Sequence, residues 1–222
     1  MTEDDGFPIL LSLRVAFATL ILVGPIGVAI AHAQARRSYR GKGLVDALLL
    51  LPLILPPSVV GFFLVMLFGR RGVAGPLLNA LGVRVVFSPV GAVLASMVVA
   101  LPILVKTCQP ALEAVPREFE DVGRTLGLGP FEVFFRVTLR AAWRGVAAGL
   151  VLAFARAIGE FGATLMVAGN IRNATNTMPL EIFAAYQAGD DGRAMKYVLV
   201  LTTLSGIVAV VAARLAPREA SG

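Results

Sequence analysis

The chain has 222 residues, of which 57% are hydrophobic and only 15% are charged, and its formal net charge is +6. A soluble domain of this length does not need so much apolar surface, so the composition excludes a soluble globular protein. The basic residues lie between apolar runs rather than on one soluble face, which argues against a nucleic-acid-binding protein.

Five apolar runs have the length of membrane-spanning helices, for which about 18 or more consecutive apolar residues are typical. They lie at about 9–33, 44–68, 85–105, 143–167 and 197–213. We therefore predict an all-α membrane protein with five transmembrane helices, built as a single transmembrane domain over residues 1–222. In the loop between the last two runs, Pro179 and the apolar residues after it predict a short re-entrant or interfacial helix.

The basic residues are concentrated in the first loop, the third loop and the segment after the last run. They are Arg36, Arg37, Arg40 and Lys42; then Lys106, Arg117, Arg124, Arg136, Arg140 and Arg144; and finally Arg214 and Arg218. Because positive loops face the cytoplasm, we expect the N-terminus outside and the C-terminus inside. The sequence thus predicts a multi-pass protein of the cell (inner) membrane, in contact with membrane lipid.

The sequence contains few cysteine and histidine residues that could bind a metal ion. Cys108 is the one cysteine and His32 the one histidine of the sequence. A single cysteine excludes an internal disulfide and a cysteine metal cluster, and a lone histidine argues against a metal site. We predict no metal site and no catalytic residue.

The third loop, at about 113–142, has the pattern of two short helices. Pro116 suits the first turn of a helix and Gly127 its end, and a second helix is expected to begin at Pro130. Four apolar residues form one helical stripe opposite the charges: Val115, Phe119, Val122 and Leu126. In the second helix Phe131, Phe134, Phe135 and Leu139 are available for burial. The pattern predicts a compact helix-turn-helix with an apolar stripe and a charged face.

A helix of this type can also lie on lipid headgroups. Here, however, Glu118, Glu120 and Asp121 are interleaved with the basic residues, and anionic lipid would repel them. A groove on a soluble protein is therefore the better interpretation.

The segment Glu120-Asp-Val-Gly-Arg-Thr-Leu-Gly127, followed by Val137-Thr138-Leu139, resembles the cytoplasmic EAA loop of ABC importer permeases. In that family the loop forms coupling helices that dock into a cleft on an ATP-hydrolysing subunit. The resemblance implies a type I ABC importer core and assigns to coupling Arg117, Glu118, Phe119, Glu120, Asp121, Arg124, Thr125, Gly127 and Phe131.

The sequence departs from the family pattern in two places. Asp121-Val122-Gly123 stands where small residues are usual, and Arg140 stands where proline is typical. Since Glu120 and Gly127 are present, we expect docking to persist with altered detail.

Further segments resemble the molybdate permeases, over most of the chain from about Leu44 to Phe183. They include Leu51–Pro57, Phe68–Gly72, Ala153–Thr164, Ala168–Ile171 and Met178–Leu180. This resemblance implies import of molybdate by a homodimer that works with an ABC ATPase subunit and an external molybdate-binding protein. ATP and Mg would bind to the partner ATPase, and this chain would hold no cofactor and would not itself be an enzyme.

Arg156 and Glu160 lie four residues apart in the fourth run, so they share a helix face and can pair. Charges inside a bilayer usually point inward or pair with each other. Two interpretations stay open: an ion pair that locks the bundle or dimer, and a gate for an anion. The second adds Ser58, Thr164 and Asn170 as weak hydrogen-bonding groups, because transport requires release and tight binding then belongs to the external protein.

Other classes remain as alternatives. A membrane enzyme for phosphoryl or prenyl transfer would want several acidic metal ligands, and only Asp190 and Asp191 are adjacent, beside Arg193. A channel or ATP-independent secondary transporter would not need the charged loop, and no inverted repeat is apparent. Within the importer class, tungstate and sulfate or thiosulfate remain alternative cargoes.

Overall fold

The computed structural model describes residues 3–215, with side chains from residue 6 onward except that of residue 79. Arg218, one of the cations assigned to the cytoplasmic side, lies outside the described residues. The regular structure of the described range is helical, and its elements are α1 Glu3–Arg36, α2 Lys42–Ile54, α3 Pro57–Phe68, α4 Gly75–Ala80, α5 Pro89–Glu113, α6 Arg117–Thr125, α7 Pro130–Val133, a π-helix at Phe134–Thr138, α8 Leu139–Ala141, α9 Trp143–Ile158, α10 Gly162–Ala168, α11 Met178–Gln187 and α12 Asp191–Leu215.

Three described helices are long and apolar enough to cross a membrane alone: α1 from Gly6, then α5 and α12. Two further candidates are bent pairs, α2 with α3 at 107° and the α7–α8 segment with α9 at 81°. Counting each bent pair as one span gives up to five, the number that the sequence predicts. The bounds of several helices differ from the expected ones.

The second expected span, 44–68, is two helices rather than one. Leu55 and Pro56 between them have extended backbones, with ψ of 143° and 135°. Proline clashes with a helical residue before it, and the Pro56-Pro57 pair applies that restriction twice in succession. Pro57 then opens α3, where its missing N–H costs nothing.

The third and fourth expected spans also differ. The α5 helix starts at Pro89 instead of residue 85, because the Ser88 hydroxyl caps it by accepting from the Gly91 N–H at 3.4 Å, and it continues to Glu113. The expected helix over 143–167 ends at Ile158 and resumes at Gly162 as α10. Glu160 provides the new start, since its carboxylate accepts from the Ala163 N–H at 2.8 Å.

The core lies where α1, α5 and α9 meet. Its fully buried side chains include Ala16, Leu104, Leu112 and Ile158. Close approach of α5 and α9 depends on glycine, since a Cβ at Gly149 would lie 2.7 Å from the Cys108 sulfur and one at Gly145 would meet the Ala111 side chain. Small residues thus set the distance between these two helices.

At the far end of the bundle from the third loop, α11 closes against α1. The Ser12 hydroxyl accepts a hydrogen bond from the Met178 N–H at 2.8 Å. The α11 helix begins at Met178 and carries Pro179 in its first turn, so the short helix expected there is present. Arg193 at the start of α12 pairs with Glu181 of α11 at 2.6 Å, which holds the two helices together.

Candidate functional site: the coupling loop and the Arg156–Glu160 turn

The first half of the third loop, here called the coupling loop (113–142), forms the helix that the sequence predicts. The α6 helix follows Pro116 and has Glu118 and Glu120 in its first turn and Arg124 in its last, an arrangement that complements the helix dipole. Gly127 ends it with φ of +84°, a left-handed backbone conformation that favours glycine. Its N–H donates to the Arg124 carbonyl at 3.0 Å.

The second half of the coupling loop begins at Pro130, also as predicted. The Glu132 carboxylate accepts from the Gly129 N–H at 3.2 Å and so supports the start of α7. The helix then continues as the π-helix over Phe134–Thr138, a form that is uncommon and frequent at functional sites. Val133 and Thr138 are buried and fix this half against the rest of the protein.

The apolar stripe of α6 is largely turned outward, and in the second half of the loop Phe131 and Phe135, which were expected to be available for burial, are exposed as well. Val115 is buried, but five other apolar side chains stay exposed: Phe119 by 55%, Val122 by 57%, Leu126 by 76%, Phe131 by 81% and Phe135 by 59%. We call these five residues the docking patch. The inner face of α6 is instead taken by Glu120 and Gly123, and within residues 6–215 these exposed side chains stay uncovered.

The charged residues of the coupling loop have separate roles. Asp121 and Arg124 form a surface ion pair at 2.9 Å. Arg117 donates to the backbone carbonyl of Arg36 at 3.3 Å, and the Thr125 hydroxyl donates to the Val122 carbonyl at 2.8 Å. Glu118 is exposed. Exposed Asp121, Arg124 and Glu118 are therefore accessible to a partner.

Glu120 lies inside the protein, with a side chain that is 7% exposed. Its Oε1 atom pairs with the Arg36 guanidinium at 2.7 Å and accepts from the Thr138 hydroxyl at 2.7 Å. Arg124 lies 3.7 Å from its other oxygen. We call Arg36, Glu120 and Thr138 the Glu120 cluster. The cluster joins the end of α1, the middle of α6 and the end of the π-helix.

Sequence reasoning placed Glu120 in the coupling loop but missed its partners. In the sequence Arg36 stands among the basic residues of the first loop, and Thr138 lies in the segment that resembles the EAA loop. Arg36 and Glu120 are far apart in the sequence, and no local periodicity links them. A signal was present only in the position of Glu120, which faces away from the stripe of Phe119 and Val122.

The second candidate site is the turn between α9 and α10. Arg156 and Glu160 pair at 2.6 Å, as the four-residue spacing predicts. The Glu160 side chain is 2% exposed and that of Arg156 is 27% exposed. The Glu160 carboxylate therefore both neutralises Arg156 and starts α10, while the arginine keeps some access to solvent.

This turn lies against the break between α2 and α3. A Cβ at Gly162 would lie 2.9 Å from the Pro57 side chain and 3.5 Å from the Ser58 nitrogen. Ser58 is exposed in the first turn of α3. The two helix breaks thus meet, which brings Ser58 near the Arg156–Glu160 turn.

The other two residues of the expected pathway are placed differently. Thr164 is only 1% exposed, so it does not face a solute in this conformation. The Asn170 side chain lies beyond the other end of α10 and donates to the Leu180 carbonyl at 3.3 Å, which supports α11. Of the expected pathway residues, Ser58 and Arg156 are the accessible ones beside the turn.

Comparison with known proteins agrees with this architecture. Residues 24–220 match the family model described as "Binding-protein-dependent transport system inner membrane component". The chain is 38% identical over 227 residues to the molybdenum transport system permease protein ModB of Escherichia coli (strain K12), covering 100% of this chain and 99% of that protein. It is 40% identical over 213 residues to the protein of that name from Mycobacterium tuberculosis, covering 96% of this chain and 81% of the other.

A solved structure of the MetNI methionine ABC transporter in inward-facing conformations has a similar chain, with a TM-score of 0.65 at 15% identity. The likeness covers 97% of this chain and 94% of that one, and it confirms the type I ABC importer permease fold that the sequence predicts. Together with the family match over most of its length, this makes the chain a member of the binding-protein-dependent transport system inner membrane components.

Proposed function

We propose that this chain is the membrane-spanning subunit of an ATP-driven molybdate importer. In this proposal it works as a homodimer, docks a separate cytoplasmic ABC ATPase subunit and receives the anion from an external molybdate-binding protein. The cargo assignment is supported by the full-length similarity to permeases named for molybdenum transport. The docking assignment is supported by one structural observation, the docking patch.

The docking patch is unusual for a loop outside the apolar spans. Its five apolar side chains are exposed and are interspersed in the sequence with charged residues, and exposed apolar surface rimmed by polar residues marks interaction sites. Large apolar anchors such as Phe119, Phe131 and Leu126, within a rim of charges, are typical of protein interfaces. An ATPase groove is the occupant that the family membership favours.

The proposed orientation in the membrane is supported by which helix ends lie together and by the distribution of basic residues. The coupling loop lies at the C-terminal end of α1, whereas α11 and the start of α12 lie at its N-terminal end. We place the coupling loop and the end of α12 in the cytoplasm and the N-terminus outside, in line with the positive-inside rule. In the most apolar stretch of α12 only 11% of residues are buried, which supports contact with membrane lipid or another subunit.

The route of the anion is proposed to pass the Arg156–Glu160 turn. Arg156 is the partly exposed positive charge there, and Ser58 is exposed in the first turn of α3, which packs against Gly162. The paired Glu160 weakens the attraction of Arg156 for a dianion, as release during transport requires. ATP and Mg are assigned to the ATPase partner, and no cofactor is assigned to this chain.

Reconstitution in proteoliposomes tests the proposal. The chain, its ATPase and the binding protein are combined, and uptake of molybdate, tungstate, sulfate and thiosulfate is measured with and without ATP. We expect ATP-dependent uptake of molybdate. Uptake that proceeds without the ATPase would support a channel or secondary transporter, and uptake of sulfate in preference to molybdate would overturn the cargo assignment.

A further inference from the structure

Hydrogen bonds and an ion pair link α1 to the coupling loop, which is distant in the sequence, at the cytoplasmic end of α1. The Arg36 guanidinium donates to the Val115 carbonyl at 3.0 Å and pairs with Glu120 at 2.7 Å. In return, Arg117 donates to the Arg36 carbonyl at 3.3 Å. One turn earlier on the same face of α1, the His32 ring meets the Phe134 ring edge to face at 4.7 Å.

The rest of α6 packs against the second half of the coupling loop. A Cβ at Gly123 would lie 3.4 Å from both Val133 and Val137, so α6 packs on the second half of the loop. The apolar stripe of α6 points away from the bundle. The polar ties from Arg36 and Arg117 are therefore what fasten α6 to α1.

Burial of the Arg36 and Glu120 charges costs desolvation free energy. The Arg36 side chain is 12% exposed and that of Glu120 is 7% exposed, and the Arg36 Nε atom is buried without a hydrogen-bond partner. A buried ion pair is often no more stabilising than well-packed apolar residues of similar volume. Unlike an apolar contact, however, it holds its partners in one relative position, because the distances and directions of its hydrogen bonds are fixed.

The α1 helix extends from these contacts to the opposite end of the protein. It packs along α5 and α9, and Ser12 near its other end receives the Met178 N–H that starts α11. At 1.5 Å per residue, Ser12 and Arg36 are about 36 Å apart along the helix. The α1 helix, which has Pro25 inside it, thus connects Arg36 to the outer end as one continuous helix.

We propose that the Arg36–Glu120 pair is the joint through which movement of the docked coupling loop is transmitted to α1, with Thr138 fixing the Glu120 carboxylate. Glu120 is then a positioning residue rather than a contact for the ATPase. The proposal rests on the proposed function, since it assumes that the docking patch binds an ATPase.

The test compares Glu120→Gln, Arg36→Gln and the double variant in the full complex. Three quantities are measured: association with the ATPase, thermal stability, and molybdate transported per ATP hydrolysed. Glu113→Gln is the matched control, because Glu113 is exposed at the end of α5 and bonds only to Gln109 among the contacts described.

Each single variant should bind the ATPase and hydrolyse ATP, with transport per ATP reduced roughly 2- to 30-fold, the range expected for residues that carry coupling. Glu120→Gln should also lower thermal stability, because it leaves Arg36 charged and unpaired. The double variant should regain stability while transport per ATP stays low. Recovery of thermal stability without recovery of transport per ATP would show that the pair transmits movement and does not only stabilise the fold.

A double variant that recovers both stability and transport per ATP would overturn the proposal, as would a Glu120→Gln protein with unchanged transport per ATP. If the unaltered chain fails to bind the ATPase, the proposed function itself is wrong. The two failures are therefore distinguishable in one set of measurements.

Discussion

The coupling loop and the Arg156–Glu160 turn each contain a buried glutamate paired with arginine, but the two pairs connect different things. Arg156 and Glu160 belong to one short stretch of chain, and their contact stabilises a break between α9 and α10. Arg36 and Glu120 belong to distant elements, and their contact fastens the coupling loop to α1. The same chemistry supports local geometry in one place and long-range connection in the other.

The surroundings differ in the same sense. The turn is packed against α3, so it is enclosed by its own chain. The coupling loop instead turns Glu120 inward and leaves Phe119, Val122 and Leu126 exposed together with its other charged residues. In the proposed function, these exposed apolar side chains are the ones that a partner would cover.

The largest effect should come from the docking patch. Replacing Leu126 and Phe131 together by alanine should weaken ATPase affinity at least about 30-fold, since apolar anchors at interfaces are worth 2 kcal/mol or more. Folding should be unaffected because the two side chains are 76% and 81% exposed. Affinity is measured by titration of the purified permease with the ATPase.

The matched control is Tyr186→Ala, which removes a side chain that is 70% exposed on α11 at the other end of the protein. It should leave ATPase affinity unchanged. Equal ATPase affinities for the docking-patch variant and the unaltered chain would show that the docking patch does not bind the ATPase.

The packing of α3 against α10, next to the Arg156–Glu160 turn, is tested at Gly61. A Cβ there would lie 2.6 Å from the Met166 Cβ and 3.0 Å from the Ala163 backbone, so Gly61→Ala overfills the contact between α3 and α10. We expect a loss of about 1–3 kcal/mol in the free energy of unfolding. Denaturant unfolding in detergent micelles measures it.

Gly206→Ala on α12 provides the control, because nothing lies within 4 Å of its Cβ position. Its free energy of unfolding should change by no more than about 1 kcal/mol. If the two alanine variants were equally stable, the turn would not be held by α3 in the way described.

Arg156→Gln separates the two interpretations of the turn. If Arg156 attracts the anion, molybdate uptake should fall several-fold while ATPase affinity stays the same. Arg214→Gln removes an equal charge from the exposed end of α12 and should leave uptake unchanged. Loss of assembly in Arg156→Gln would instead assign the pair a purely structural role.

The smallest change in unfolding free energy is expected at a third, more exposed ion pair. Asp46 of α2 and Lys106 of α5 lie 2.6 Å apart, with side chains that are 27% and 30% exposed. Because water screens such a pair, Asp46→Asn should cost only about 0.2–1 kcal/mol of unfolding free energy. A loss as large as that expected for a fully buried pair would show that exposure does not govern these contacts.

What the sequence could predict depended on local signals. Pro116, Gly127 and Pro130 act on their own neighbours, so the ends of the coupling-loop helices were correctly expected. The Arg156–Glu160 contact followed from helical spacing alone. The break between α2 and α3 at Leu55–Pro57 falls within the run 44–68, which the sequence predicts as one span. The proline pair fixes that the first helix ends but not the direction in which the second one continues.

What the sequence could not provide depended on tertiary contacts. The outward turn of Phe119 and Leu126 follows from Glu120 being held inward by Arg36, a residue on a different helix. Apolar periodicity identifies the two faces of α6 but cannot say which face meets the protein. The restart at Gly162 was missed for a related reason, since apolar residues continue through the break while Glu160 caps the new helix.

In the proposed function, the exposed apolar face of the coupling loop contacts an ATPase subunit. The most direct test is photo-crosslinking from a cysteine placed at position 126 and labelled with a benzophenone, with Tyr186→Cys as the control; Cys108 is buried and should not react. We expect an adduct between permease and ATPase from position 126 and none from position 186. An adduct with lipid alone from position 126 would contradict it.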